Sequence, residues 1–157
     1  MGDSGETQGS YLSEGDYERD SDYIDDRITL GARKPDHGPV GGDLWPVEPG
    51  RYRLVGALAC PWATRSIIVR QLLGLEDVIS LGRCGPTHDE RSWTFDLDPD
   101  GRDPVLGIER LQEAYLARFP DYTKGITVPA VVDIPTGQVV TNDFPWITHD
   151  LLFEWRE

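Results

Sequence analysis

The sequence predicts an α/β fold: a four-stranded mixed sheet flanked by helices. Three observations point there. A short apolar run, Tyr52 to Leu58, leads directly into a helix-forming stretch from Pro61 to Leu73. A second apolar run, Val78 to Leu81, follows that helix, and a strand reached through a helix returns parallel to the first. Two further runs, Val128 to Ile134 and Gln138 to Thr141, flank Pro135-Thr136-Gly137, which has the composition of a hairpin turn.

Each element follows in order. Met1 to Asp43 is rich in Gly, Ser, Asp and Glu and poor in aliphatic residues, so it buries too little apolar surface to offset its ordering entropy. Residues 1–43 are therefore expected to form an acidic, mostly irregular arm that docks by its aromatics, Tyr11, Tyr17 and Tyr23. Residues 44–157 are expected to form the folded domain. Pro49-Gly50 makes a turn before the first strand. In the first helix Ile67, Ile68, Leu72 and Leu75 recur at helical spacing, and Gly74 suits its C-terminal stop. Gly82 to Gly101 is polar around Trp93 and Phe95. Pro104 to Phe119 reads as a second long helix with Leu106, Leu111, Tyr115 and Leu116 inward. The hairpin comes next, and Asp143 to Trp155 reads as the last helix. Strand, helix, strand, helix, strand, strand, helix is the thioredoxin arrangement.

Composition narrows the function. The formal net charge of the 157-residue chain is −13 and no basic face stands out, so neither nucleic acid nor an anionic membrane is an expected partner. No apolar run is long enough to span a bilayer. Met1-Gly2-Asp3-Ser4-Gly5-Glu6 lacks the basic and apolar regions of a secretory leader, and two cysteines suit a reducing compartment; a cytoplasmic location is expected. His37, His88 and His149 match no metal-ligand spacing, so no metal is expected, and no Walker loop or Gly-x-Gly-x-x-Gly is present.

Cys60 carries the chemical signal. It stands between the first strand and the first helix, followed by Pro61, which suits the first helical position. A helix N-terminus holds partial positive charge and unpaired N–H groups, which in general favour a thiolate, and the thiolate is the nucleophile. A buried cysteine that only packs is the alternative. Cys84 is far away in sequence and forms no Cys-x-x-Cys with Cys60.

Tyr52-Arg53-Leu54, Cys60-Pro61-Trp62-Ala63, Arg65, Ile68-Val69-Arg70 and Gly74-Leu75-Glu76-Asp77-Val78-Ile79 occur in that order. Trp93-Thr94-Phe95, Asp121-Tyr122-Thr123, Thr127-Val128-Pro129 and Val140-Thr141-Asn142 follow, and Gly15-Asp16-Tyr17-Glu18-Arg19 precedes them. Together they resemble the glutathionyl-hydroquinone reductases, the xi-class glutathione transferases. The resemblance runs from about Gly15 to the end of the chain and covers the thioredoxin-like domain. The helical domain that follows in the family is not expected within these 157 residues, which would be either a fragment or a single-domain relative.

The resemblance implies a mechanism. Cys60 would attack the sulfur of a glutathionyl-hydroquinone and release the hydroquinone, and a second glutathione would resolve the Cys60–glutathione disulfide. Val128-Pro129 would be a cis bond, with the Val128 backbone facing the bound thiol. Trp93 matches a tryptophan lying over glutathione, with Ser92 replacing a glycine; an indole there is either a ligand wall or a plug on the core. Trp62 either shields the thiol or packs the helix onto the sheet. Lys124 would hold a carboxylate of the ligand, offset by one position from the family's arginine. At Asn142-Asp143-Phe144 the chain departs from the pattern. Phe144 replaces a serine whose hydroxyl receives the γ-glutamyl carboxylate, while Asp143 either grips the amino group or caps the helix. These changes open the way to another low-molecular-weight thiol, such as mycothiol, as co-substrate. The expected activity is a thiol-dependent reductase of glutathionyl- or other thiol-conjugated hydroquinones. The rival readings are a non-catalytic thiol-binding module and a glutaredoxin-like thiol transferase. Trp146, Leu152, Phe153 and Trp155 crowd the last helix, so an uncovered apolar patch favouring a homo-oligomer is expected.

Overall fold

A computed structural model describes residues 21–86, 88–89 and 91–155. The expected anchors Tyr11 and Tyr17, and the Gly15–Arg19 segment, lie outside the described residues. The strands are β1 (Arg27–Thr29), β2 (Leu44–Pro46), β3 (Tyr52–Gly56), β4 (Ser80–Arg83), β5 (His88–Asp89), β6 (Ser92–Trp93), β7 (Ala130–Asp133) and β8 (Gln138–Thr141). The helices are α1 (Pro61–Leu72), α2 (Gln112–Arg118) and α3 (Phe144–Phe153).

The main sheet has the order β4-β3-β7-β8, with β3 parallel to β4 and antiparallel to β7, and β7 antiparallel to β8. This is the expected mixed four-stranded sheet. Because successive side chains of a strand point to opposite faces, each strand feeds two cores. Val55, Val132 and Val139 join Phe95, Leu111 and Tyr115 on one side. Tyr52, Leu54, Val131 and Val140 join Ile67, Ile147 and Leu151 on the other. The second core lies under α1 and α3, which pack together through a 3.0 Å Ser66–Thr148 hydroxyl contact.

Three expectations change in detail. The second helix spans only Gln112–Arg118, because the Asp103 carboxylate turns the preceding chain instead. It accepts the N–H groups of Val105 and Leu106 at 3.2 and 2.8 Å, and Gly107 takes a φ of +70°. Asp103 is itself buried against Arg53 at 2.7 Å. In α1 the buried side is Ala63, Ser66, Ile67 and Arg70, whereas Ile68 and Leu72 face outward at 47% and 80% exposure. Arg70 lies inside because it donates to the Ile79 carbonyl at 2.6 Å. The polar stretch after β4 contains the small hairpin β5–β6. Of the aromatics and leucine crowding α3, Leu152 and Phe153 are exposed, while Trp155 packs on the core edge and Trp146 is half-buried.

The described part of the arm is held by polar anchors as well as by Ile28, which is buried in the second core. β1 pairs in parallel with β2. Arg27 is buried against Asp150 at 2.5 Å. Asp26 accepts from Arg118 at 2.6 Å and from the Trp45 indole at 2.8 Å. Arg118 also reaches the Val140 carbonyl at 2.9 Å, so the end of α2, the arm and β8 share one cation. Gly74 ends α1 as expected, with a φ of +67° and its N–H on the Gln71 carbonyl.

Candidate active site

The pairing of β3 with β7 builds the site. Val55 lies opposite Ala130, so the turn leaving β3 and the loop entering β7 meet at one end of the sheet. Cys60 occupies the N-cap position of α1 in extended conformation, and its side chain makes no capping hydrogen bond. Its backbone is fully used: its N–H donates to Ala57 and its carbonyl accepts from Thr64, both at 3.0 Å. The half-buried thiol is left to reach across to the Val128 carbonyl, to which Sγ donates at 3.4 Å. The Val128-Pro129 bond is cis, as expected.

The other named residues fall into groups. Trp62, two residues past Cys60, stacks on Phe144, the first residue of α3. Tyr23 of the arm meets the edge of Phe144 at 5.7 Å. Asp143 occupies the N-cap position of α3 without a side-chain capping bond, and burial pushes its carboxyl up from the ordinary value. Trp93 packs against the same core cluster as Cys60, with the His88 ring edge-on at 5.0 Å. Its Nε1 is buried without a hydrogen-bond partner among the described residues, as is Ser92 Oγ, and Ser92 has a φ of +120°. Lys124 is exposed and paired with Asp22 of the arm.

Cys84 is a different thiol. It is 3% exposed, and burial, reinforced by Asp103, Asp98 and Asp96, pushes it far above the ordinary thiol value. Among the described residues no three His, Cys, Asp or Glu side chains are placed to hold a metal ion. No described helix is long and apolar enough to cross a membrane.

Sequence reasoning overlooked the polar scaffold behind the loop. Asn142 is 1% exposed and spans between the arm and Thr127. Tyr115, fully buried, donates its hydroxyl to the Thr127 carbonyl at 2.9 Å. Burial holds that phenol well above its ordinary value, so it remains a donor. An aromatic within an apolar helix face gives no hint of a polar task, and a single asparagine between strand and helix gives little more.

Comparison with known proteins places the domain. The family model described as glutathione S-transferase, N-terminal domain, matches residues 59–151. The crystal structure of a glutathione transferase from Gordonia bronchialis is 66% identical, covering 85% of this chain and 39% of its own, with a TM-score of 0.77. The Xi-class transferase of Natrialba magadii is 35% identical over 71% of this chain and 35% of its own, with a TM-score of 0.65. The glutathionyl-hydroquinone reductase YqjG of Escherichia coli is 39% identical over 108 residues, 68% of this chain and 33% of its own. Its glutathione-bound structure covers 82% of this chain and 42% of its own at 34% identity, with a TM-score of 0.71. The chain spans about a third of the length of the curated relatives it matches. With the model matching more than half of its residues, the chain belongs to the glutathione S-transferase family through its thioredoxin-like N-terminal domain, and it shares this fold with Xi-class structures.

Proposed function

We propose that the protein is a thiol-dependent reductase of glutathionyl- or other thiol-conjugated hydroquinones, with Cys60 as its nucleophile. The observation that carries this reading is the placement of Cys60 Sγ, half-buried before α1 and 3.4 Å from the Val128 carbonyl. The thiolate attacks the sulfur of the conjugate. An S–S bond forms, the aryl C–S bond breaks, and the ring carbon keeps the electron pair and takes a proton to leave as the hydroquinone. A second thiol then attacks the ligand sulfur, forming a free disulfide and releasing Cys60. Two thiols are oxidised to a disulfide, counting the one in the conjugate, while the ring carbon is reduced. The resolving thiol comes from outside, because Cys84 is buried.

Glutathione is the co-substrate supported by the glutathione-bound YqjG structure. One observation favours a second thiol, mycothiol. Phe144 stands at the start of α3, where the family resemblance calls for a hydroxyl. Trp62, Trp93, Lys124, Val128, Pro129, Asp143 and Phe144 are assigned to the thiol-ligand site on this reading.

The test is turnover of a glutathionyl-hydroquinone with glutathione or mycothiol, following released hydroquinone and trapping the Cys60 adduct by mass spectrometry. Cys60→Ala abolishes turnover and adduct, and Cys60→Ser does not restore them, since a hydroxyl forms no mixed disulfide. At neutral pH iodoacetamide labels Cys60 while Cys84 stays unmodified. Turnover in Cys60→Ala, or equal labelling of both cysteines, overturns the mechanism.

A further inference from the structure

We propose that Asn142 is a positioning residue, transmitting the docking of the N-terminal arm to the loop that faces Cys60. The inference rests on Cys60 being the reacting group.

Asn142 links β8 to α3 and is almost fully buried. Both ends of its carboxamide are used across long stretches of sequence. Oδ1 accepts the Ile24 backbone N–H at 2.8 Å. Nδ2 donates to Thr127 Oγ1 at 2.9 Å. Thr127 is held a second time where its carbonyl accepts the Tyr115 hydroxyl at 2.9 Å. The next carbonyl along the chain, that of Val128, accepts from Cys60 Sγ. A continuous path therefore runs from Ile24 through Asn142, Thr127 and Val128 to the thiol. Both polar ends of one buried side chain are matched, which gives the junction a single arrangement.

The arm end of this path is anchored independently. Thr141 Oγ1 donates to the Ile24 carbonyl at 2.7 Å, and Asp25 forms a β-bridge with Thr141. Asp22 pairs with Lys124, four residues before Val128. The arm thus grips the loop before Val128 through Lys124 and the junction after β8 through Asn142. If Asn142 only filled space, losing its bonds would loosen the fold generally. If it positions the loop, the loss is felt first at Cys60.

The test uses the full chain and reads two thiols at once. Iodoacetamide labelling of Cys60 and Cys84 is followed by mass spectrometry in Asn142→Ala, Thr127→Val, Thr127→Ser and Ile24→Pro. Thr127→Val is nearly isosteric and keeps the test open if Asn142→Ala fails to fold. A thiol released from the Val128 carbonyl turns toward solvent. Cys60 labelling is therefore expected to rise about three- to tenfold in Asn142→Ala and Thr127→Val, the worth of one hydrogen bond. Cys84 stays unlabelled, and kcat falls wherever Cys60 labelling rises. Thr127→Ser keeps the acceptor and behaves as wild type. Ile24→Pro deletes the arm's N–H and reproduces the Asn142→Ala pattern. Wild-type Cys60 labelling in Thr127→Val, parallel exposure of Cys84, or wild-type behaviour of Ile24→Pro overturns the proposal. Labelling needs no turnover, so a protein inactive on quinol conjugates still decides this question, and that failure belongs to the proposed activity alone.

Discussion

Phe144 lies face to face on Trp62, with ring centroids 4.7 Å apart and planes 15° from parallel. The stack joins the first turn of α1, which Cys60 precedes, to the first turn of α3. On the proposed function it also sets an apolar ring where the family resemblance calls for a hydroxyl that meets a carboxylate. Phe144→Ser is expected to tighten glutathione binding by about ten- to a hundredfold, since one hydrogen bond to a charged group contributes about 1.5–3 kcal/mol. Calorimetric titration of both proteins measures this. Tight wild-type binding that Phe144→Ser leaves unchanged would show that Phe144 does not select the thiol.

Asp143 gives stability a pH dependence of definite sign. Burial, then Asp25, raises its pKa, with Arg27 opposing. The folded state holds the proton more tightly than the unfolded chain. Charged Asp143 therefore opposes folding, and stability falls as pH rises from the ordinary aspartate value of about 3.9 through the raised one. Asp143→Asn removes this penalty. Its Tm is expected to exceed the wild type's at neutral pH, and the gap to close once the wild-type carboxyl is protonated. Thermal melts of both proteins across that range check it, and a lower Tm for Asp143→Asn at neutral pH contradicts it.

Ser92 holds a φ of +120° with its hydroxyl buried and without a partner among the described residues. That conformation is open to glycine and strained for serine. Ser92→Gly is expected to stabilise the protein by about 1 kcal/mol, with relief of strain outweighing the greater freedom of an unfolded glycine. Urea unfolding measures the change, and a loss of stability would show that the serine is held by something other than backbone tolerance.

Leu72 is 80% exposed on α1, and Leu152 and Phe153 are 41% and 47% exposed on α3. Apolar side chains left uncovered on two packed helices favour association. Sedimentation velocity is expected to show concentration-dependent self-association that Leu72→Lys weakens. A chain that stays monomeric throughout the accessible concentration range rules this out.

Much of the site was legible because its signals are local. Cys60 before Pro61 marks a strand-to-helix junction by chemistry within a few residues, and Thr127-Val128-Pro129 announces its loop in the same way. Asn142 was not legible as a scaffold residue, because its partners Ile24 and Thr127 lie 118 and 15 positions away. Lys124 illustrates the opposite difficulty. A basic residue beside a ligand loop invites a carboxylate, and the carboxylate it meets here belongs to Asp22.

By itself the sequence determined the order of the four main-sheet strands and the three helices, the sheet those strands form and the thiol at its end. Side-chain period and turn chemistry operate over neighbouring residues. The tertiary structure alone decided where α2 begins, which face of α1 is buried and how the arm is held. Asp103 turned a helical pattern into a loop because its carboxylate found Arg53 and two nearby N–H groups. Arg70 displaced Ile68 from the inner face because the Ile79 carbonyl needed a donor. Arg27 and Asp26 drew an acidic, aliphatic-poor arm onto the domain through Asp150 and Arg118. In each case a buried polar group met a partner outside its own element, and satisfying it outweighed the local pattern.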